Sequence, residues 1–370
     1  MSHNNKQHIF QLTGLRFFLA FAIFLLHLYL FFLSPLFPEV KFFHNWMLRG
    51  HLGVDIFFVL SGFVIAYSYF DQFQEKQLVY PAYLLRRFAR IYPVHLFTTI
   101  IVFVAYLAQF GSEYESAADY MNGVPADAVD FSLVELFKSM LLIQSWGLPM
   151  IASWNLASWS VSCEWLVYIL FPLYAGALQS LDGKTKTTIS IIALLYLVEI
   201  IAAFLSIKYQ GLSAIGIIRV IPSFAIGILI CRLSLHRHAA SRKISHFWVL
   251  SALAVILLQP WHLLAVLILP FFMWFIYAIA TKQINMSWLE HPWLIYGGKT
   301  SFSLYLCHTA VMMVFSAIAN PHDFIDASLY EKCALIISYV LSSIALTVLT
   351  YHLIEAPMFR KISALAEKLE

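Results

Sequence analysis

Charge is scarce in this chain. Asp, Glu, Lys and Arg make up 12% of its 370 residues, about half the ~25% of an ordinary soluble domain. That scarcity excludes a free-standing soluble fold. The formal net charge is only +3 and the basic residues are scattered between apolar runs, which argues against a nucleic-acid partner. Cysteine is scarce too. Cys163, Cys231, Cys307 and Cys333 stand apart, with no CxxC pair and no His/Cys cluster, so neither a disulfide framework nor a metal site is expected. No small-residue cleavage site follows the first apolar run, which is expected to be a retained span and not a signal peptide. Internal repeats, low-complexity tracts and a soluble catalytic domain are also absent from the pattern.

What fills the chain is apolar sequence: 61% hydrophobic residues, including 32 Phe, 19 Tyr and 10 Trp, suited to lipid-facing and interfacial positions. A membrane span needs about 20 such residues. Ten runs qualify: 12–34, 52–70, 89–110, 157–179, 187–207, 213–234, 245–259, 261–281, 300–319 and 332–356. The seventh is short and Gln259-Pro260-Trp261 divides it from the eighth, as a tight hairpin or one broken helix. The predicted fold is an all-α polytopic integral membrane protein of about ten transmembrane helices. It forms one domain over 1–370, with short tails 1–11 and 357–370 and a long loop 111–156. With ten spans, seventeen Lys and Arg fall on the side of the N-terminus and six on the other. The positive-inside rule then predicts cytoplasmic N- and C-termini in a cell inner (plasma) membrane, with loop 111–156 extracytoplasmic. Residues 132–146 read as an amphipathic helix lying on the outer surface.

Ionisable residues inside spans are costly and mark functional sites by default. His27 lies seven residues from the outer end of the first run, roughly 10 Å deep. Asp55, Glu164 and Arg219 also fall toward the outer side, and His308 nearer the middle. His27 reads equally as a general base, since an imidazole can take a hydroxyl proton near neutral pH, or as a neutral histidine bonded between helices. Glu164 reads as a carboxylate that orients His27, or as a structural partner of Arg219. Asp55 and Arg219 read at least as readily as a structural ion pair, and His308 as a further site candidate. Ser61, Gly62, Ser160 and Ser162 read as small residues for close helix packing. His51, His95, His236, His238 and His262 read as interface or loop histidines. At the inner side, Arg86, Arg87 and Arg90 form one helical patch whose planar forks suit phosphate oxygens. By itself such a run reads first as a topology signal or a lipid contact.

Several segments together resemble the membrane-bound acyltransferase family 3, and they run in that family's order from 12 to 357. They are Leu12-Thr13-Gly14-Leu15-Arg16 with His27; Gly53-Val54-Asp55-Ile56-Phe57-Phe58-Val59-Leu60-Ser61-Gly62-Phe63; Arg86-Arg87-Phe88-Ala89-Arg90-Ile91-Tyr92-Pro93; Trp159-Ser160-Val161-Ser162-Cys163-Glu164; Ser301-Phe302-Ser303-Leu304-Tyr305-Leu306-Cys307-His308; and Glu355-Ala356-Pro357. Thr13 stands where the family often has Asp, and Trp165 where it often has a second Glu. The resemblance implies an integral membrane O-acyltransferase. Such an enzyme takes an acyl group, usually acetyl, from cytoplasmic acyl-CoA to a hydroxyl of a cell-envelope or secreted polysaccharide. Lipopolysaccharide, exopolysaccharide and other glycans, lipid-linked or free, all fit as acceptor. It further implies His27 and Glu164 as catalytic residues, Arg86, Arg87 and Arg90 at the acetyl-CoA site, and Asp55, Arg219 and His308 as further candidates, with no metal. Membrane lipid is the other partner. Direct transfer is the expected mechanism, with Cys163 as a conceivable relay nucleophile. The competing readings are a glycan or lipid transporter or flippase, for which the inverted repeat common in transporters is missing, and an inactive membrane scaffold.

Overall fold

Backbone that crosses hydrocarbon must satisfy its own hydrogen bonds, so apolar runs of this length coil into helices. The computed structural model describes residues 8–108, 130–147, 154–181, 183–208, 216–236, 244–258 and 266–370, and among them the chain is helical with no strand. Counting helices of eight residues or more, these are α1 (Phe10–Leu28), α2 (Leu52–Gln74), α3 (Tyr80–Ala108), α4 (Leu133–Met140), α5 (Ser158–Ile169), α6 (Phe171–Leu178), α7 (Thr185–Lys208), α8 (Gly216–Leu235), α9 (His246–Leu258), α10 (Ile268–Ala280), α11 (Pro292–Ile318), α12 (Leu329–Thr350) and α13 (Ala356–Glu367).

A helix falls in each of the ten predicted runs, but fewer are membrane-spanning by length and composition. Six helical segments among the described residues qualify: Phe10–Leu36, Pro38–Gln74, α3, α8, α11 and Leu329–Glu367. The pair Ser158–Ile169 and Phe171–Leu181, bent by 55°, makes a seventh if taken as one span. The bend follows from Pro172, which has no N–H to give the preceding turn. α9 and α10 have 13 residues each, about 20 Å at helical rise, short of a core ~30 Å thick. Residues 259–265 between them lie outside the described residues, and with them the choice between hairpin and broken helix.

Lipid gives helices no hydrophobic reason to associate, so close van der Waals packing through small residues takes over. α2 packs most extensively on α8. There a Cβ on Gly62 would lie 2.1 Å from the Phe224 carbonyl oxygen, and one on Gly227 2.0 Å from that of Val59. The expectation that Ser61-Gly62 serves packing holds for the glycine. α1 packs on α11 in the same way, with Gly298 against the Thr13 carbonyl. Between α2 and α8, Arg219 grips Asp55 with two bonds, Nε–Oδ1 3.1 Å and Nη2–Oδ2 2.8 Å, and its guanidinium sits over the Trp159 ring.

Two segments expected outside the bundle join it. Within 357–370, α13 lies along α3. Within 111–156, the described residues 130–147 hold α4, shorter than the predicted 132–146 helix. Ser132 caps it by accepting from the Glu135 amide, and Leu142 ends the following turn with φ of 58°. Leu133, Val134 and Phe137 are exposed while Glu135 and Ser139 are buried. The buried side is seated on α3: His95, halfway along that helix, donates from Nε2 to the Ser139 carbonyl at 2.8 Å.

Candidate functional site

A cavity of about 1550 Å³ opens between α1, α2, α3, α5 and α11 at the end of the bundle where α1 begins. Arg16, Arg87, Arg90 and Lys299 bring positive charge to its wall; Ser61, Glu164 and Tyr168 lie further along. Its far lining includes Ser160 and Tyr305. We call this the basic end. His8, also on the wall, is held below the ordinary histidine range by partial burial and then by the charges of Lys299 and Arg16.

The three arginines of α3 differ in state. Arg86 is tied to Glu370 by two bonds of 2.5 and 2.8 Å and is not among the residues that line the cavity. Arg90 is paired with Glu355, which also accepts from Ser303 at 2.5 Å. Arg87 has no ion-pair partner among the described residues. It donates to the Tyr69 hydroxyl at 3.3 Å, lies over the Tyr69 ring, and its buried Nε has no hydrogen-bond partner. Arg16 likewise has no ion pair among the described residues and rests near the Phe57 ring. Arg87 and Arg16, with Lys299, which has no ion pair among the described residues either, are therefore the cations in the wall with most capacity left for an anion. Arg16 and Lys299 were not named as site residues from sequence, although Arg16 stands in the first motif.

Along α1, eleven residues past Arg16 and so roughly 16 Å on, His27 meets His308. Their spacing is 3.1 Å from His27 Nδ1 to His308 Nε2. Each ring also faces a carbonyl four residues back on its own helix: His27 Nδ1 lies 2.9 Å from Ile23 O and His308 Nδ1 2.8 Å from Leu304 O. A carbonyl only accepts, so both Nδ1 atoms carry the proton. His308 Nε2 is then an acceptor for the shared His27 Nδ1–H. By elimination His27 Nε2 keeps its lone pair, the form a general base needs. His308 is fully buried and His27 only partly. A π-helical segment, Tyr29–Leu33, begins two residues beyond His27, and a second, Tyr351–Glu355, ends on the partner of Arg90. Such insertions recur at functional sites.

The contact expected between Glu164 and His27 is absent among the described residues. Glu164 accepts instead from Ser61 Oγ and from the Tyr168 hydroxyl, the latter at 2.5 Å. The residue bonded to His27 is His308. Glu164 belongs to the cavity wall. His27 does not line the cavity; Tyr305 does, and its ring centroid is 6.2 Å from that of His308. Its hydroxyl bonds Ser160 Oγ at 2.7 Å and the Ala157 carbonyl at 2.9 Å. Cys163 is fully buried, away from the cavity lining, which gives no support to a relay through its sulfur. No cluster of three or more His, Cys, Asp or Glu suited to a metal occurs among the described residues.

A family model described as an acyltransferase domain matches residues 9–352. The chain belongs to the membrane-bound acyltransferase family 3. Among its relatives are acyltransferase MdmB of Streptomyces mycarofaciens, 37% identical over 177 residues, or 44% of this chain and 38% of that protein. Another is the peptidoglycan O-acetyltransferase OatA of Listeria monocytogenes, 32% identical over 136 residues, or 35% of this chain and 20% of that protein. The matches thus span well under two thirds of either relative's length. No solved structure matches the chain. As a family 3 acyltransferase domain the bundle has a place for each of its motifs: residues of the first, third and fourth in the cavity wall, the second at the α2–α8 contact and the wall, the fifth beside His27, and Glu355 of the sixth on Arg90.

Proposed function

We propose that this protein is an integral membrane O-acyltransferase of the plasma membrane. It moves an acyl group, acetyl in the simplest case, from an acyl-CoA to a hydroxyl of a cell-envelope or secreted polysaccharide. The observation that carries the reading is the pairing of two features. One is a cation-lined cavity at the end of the bundle that the distribution of Lys and Arg assigns to the cytoplasm. The other is an imidazole further along, whose tautomer leaves Nε2 free to accept a proton.

In this mechanism Arg87, Arg90, Arg16 and Lys299 hold the phosphates of the donor through charge-assisted bonds. The donor's arm extends along α1 toward Tyr305, whose ring must turn aside to admit the thioester. His27 Nε2 takes the proton of the acceptor hydroxyl as its oxygen bonds to the thioester carbonyl carbon. The imidazolium keeps its Nδ1–H on His308 and Ile23, so it forms without losing a partner. Collapse of the tetrahedral adduct breaks the C–S bond, and the proton passes from Nε2 to the departing sulfur. The products are an ester and free CoA thiol. Glu164, held by Ser61 and Tyr168, shapes the inner part of the route.

The test is transfer of label from radiolabelled acetyl-CoA to glycan by the purified protein, with His27→Ala beside it. Labelled saccharide from the wild type and none from the variant, with CoA binding retained in both, is the expected result. A wild type that moves unlabelled glycan across a vesicle membrane without acylating it would establish the transporter reading instead.

A further inference from the structure

Five buried polar atoms without a hydrogen-bond partner lie on α3, on α4 packed against it, and in the turn after α4: His95 Nδ1 and Thr99 Oγ1 on α3, Ser139 Oγ on α4, and Gln144 Oε1 and Ser145 Oγ in that turn. They are the majority of the eight such atoms among the described residues. Their side chains are sealed: His95 is 0% exposed, Thr99, Ser139 and Ser145 1% each. A fold rarely leaves polar groups buried and unpaired without a reason, and less so several together.

The backbone here is also unusual for its depth. Residues 141–147 are irregular, yet they sit beside the middle of α3 and against α5. The Ser145 amide donates to Ser162 Oγ at 3.2 Å, Ser162 Oγ donates to Leu142 O at 2.8 Å, and Gln144 Nε2 donates to Ser158 Oγ at 3.1 Å. Non-helical backbone at membrane depth is tolerated where it is enclosed by protein or lines a polar cavity, and binding sites are built from such interruptions. One side chain links this region to the catalytic pair. Asn155 donates to Thr98 Oγ1 at 2.8 Å and accepts from Thr309, the neighbour of His308, at 3.3 Å.

The chemistry of the unpaired groups selects a ligand. His95 Nε2 donates to a carbonyl, so its Nδ1 is an acceptor. Gln144 Oε1 is an acceptor. The three hydroxyls both donate and accept. None of these groups carries a fixed cation that would hold a phosphate or carboxylate. A mixed, uncharged array of this kind matches ligand hydroxyls.

We propose that the inward-folded segment 139–145 and the α3 surface beneath it form the acceptor subsite, which takes an uncharged, hydroxyl-rich saccharide and presents one hydroxyl to His27 Nε2. The subsite rests on the acyltransferase reading above. It fills when segment 139–145 lifts from α3 and sugar hydroxyls take up the unpaired groups.

The test uses the full chain in detergent, radiolabelled acetyl-CoA, and as acceptors the neutral trimers maltotriose, cellotriose and chitotriose with the galacturonate trimer as anionic comparator. The variants are Thr99→Val, Ser139→Ala and Ser145→Ala, singly and combined, with Thr99→Ser as the conservative control. The expected result is a preference for a neutral trimer. Each hydroxyl deletion then raises the acceptor KM by about tenfold, the equivalent of one lost hydrogen bond. The donor KM is unchanged, Thr99→Ser is close to wild type, and Tm stays level or rises, because deleting an unpaired buried hydroxyl removes no bond. An unchanged acceptor KM in the triple variant overturns the subsite and leaves the acyltransferase reading intact, as does a fall in Tm with donor and acceptor KM lost together. Preference for the anionic trimer also overturns it. Failure of the wild type to label any acceptor overturns both.

Discussion

The cavity at the basic end and the polar region around His95 and His27 both hold hydrogen-bonding groups inside an apolar bundle, by opposite means. The cavity is open and its wall carries guanidinium and ammonium groups, of which Arg16, Arg87 and Lys299 have no carboxylate partner among the described residues while Arg90 is paired with Glu355. Water reaching such a space keeps unpaired cations affordable until an anion arrives. The deeper region is closed, and a formal charge there would face the full desolvation cost; it uses neutral imidazoles, amides and hydroxyls instead. The difference teaches where each substrate belongs. On the function and subsite proposed above, the polyanionic donor belongs at the open, charged end and the neutral polyol at the closed one.

The largest expected effect falls on the sealed side. His27→Ala should lower the transfer rate by about 10²–10⁴-fold, the range of a lost general base, with CoA affinity unchanged in the same preparation. A variant retaining wild-type turnover would remove His27 from the chemistry. Next is Arg90→Ala, which strands Glu355 without its cation. A buried pair broken on one side costs ~3–5 kcal/mol, and Arg90 is about a quarter exposed (24%), so about 2–3 kcal/mol is expected after solvent screening. Reversible unfolding in mixed micelles measures it, and Glu355→Gln in the same chain should recover most of the loss. Arg87→Ala sharpens the contrast: with no carboxylate partner to strand, it should leave stability level while weakening acetyl-CoA binding about ten- to a hundredfold, one charge-assisted interaction. Equal stability losses for Arg87→Ala and Arg90→Ala would erase the distinction between them.

The smallest effect concerns pH. His8 sits below the ordinary histidine value because of partial burial and two neighbouring cations, Lys299 and Arg16. A bound polyanion favours its charged form and raises that value. Donor affinity should therefore be greater at pH below the bound-state value and decline by a few fold as pH rises through it. Titration calorimetry with CoA between pH 5 and 8 reads the slope, and His8→Gln should flatten it.

Much of this was legible beforehand because it is local. Hydropathy over about 20 residues gave the helices, and i, i+4 and i, i+3 spacing put Arg90 beside Arg86 and Arg87. Asp55 and Arg219 read at least as readily as an ion pair as direct participants, with Glu164 the other candidate partner for Arg219, and the structure joins Asp55 to Arg219. What stayed hidden depends on contacts between distant segments. Glu164 was expected to orient His27, yet the partner is His308, 281 positions away. Arg86 and Arg90 were expected to share a role with Arg87, yet Glu370 and Glu355 engage them. His95 read as an ordinary interface histidine because nothing adjacent in sequence marks the inward turn of 139–145.

The sequence alone determined that this chain is a helical membrane protein, where its helices fall, which end is basic, and that an imidazole lies within the hydrophobic core. Those properties follow from the cost of placing backbone and charge in hydrocarbon, which acts residue by residue. Only the tertiary structure decided which nitrogen of His27 is free, which arginine lacks a carboxylate partner, and which polar groups are sealed without one. Those depend on separations of about 3 Å between side chains on helices far apart in the chain, set by how glycine-lined faces such as Gly62 with Gly227 let the helices approach.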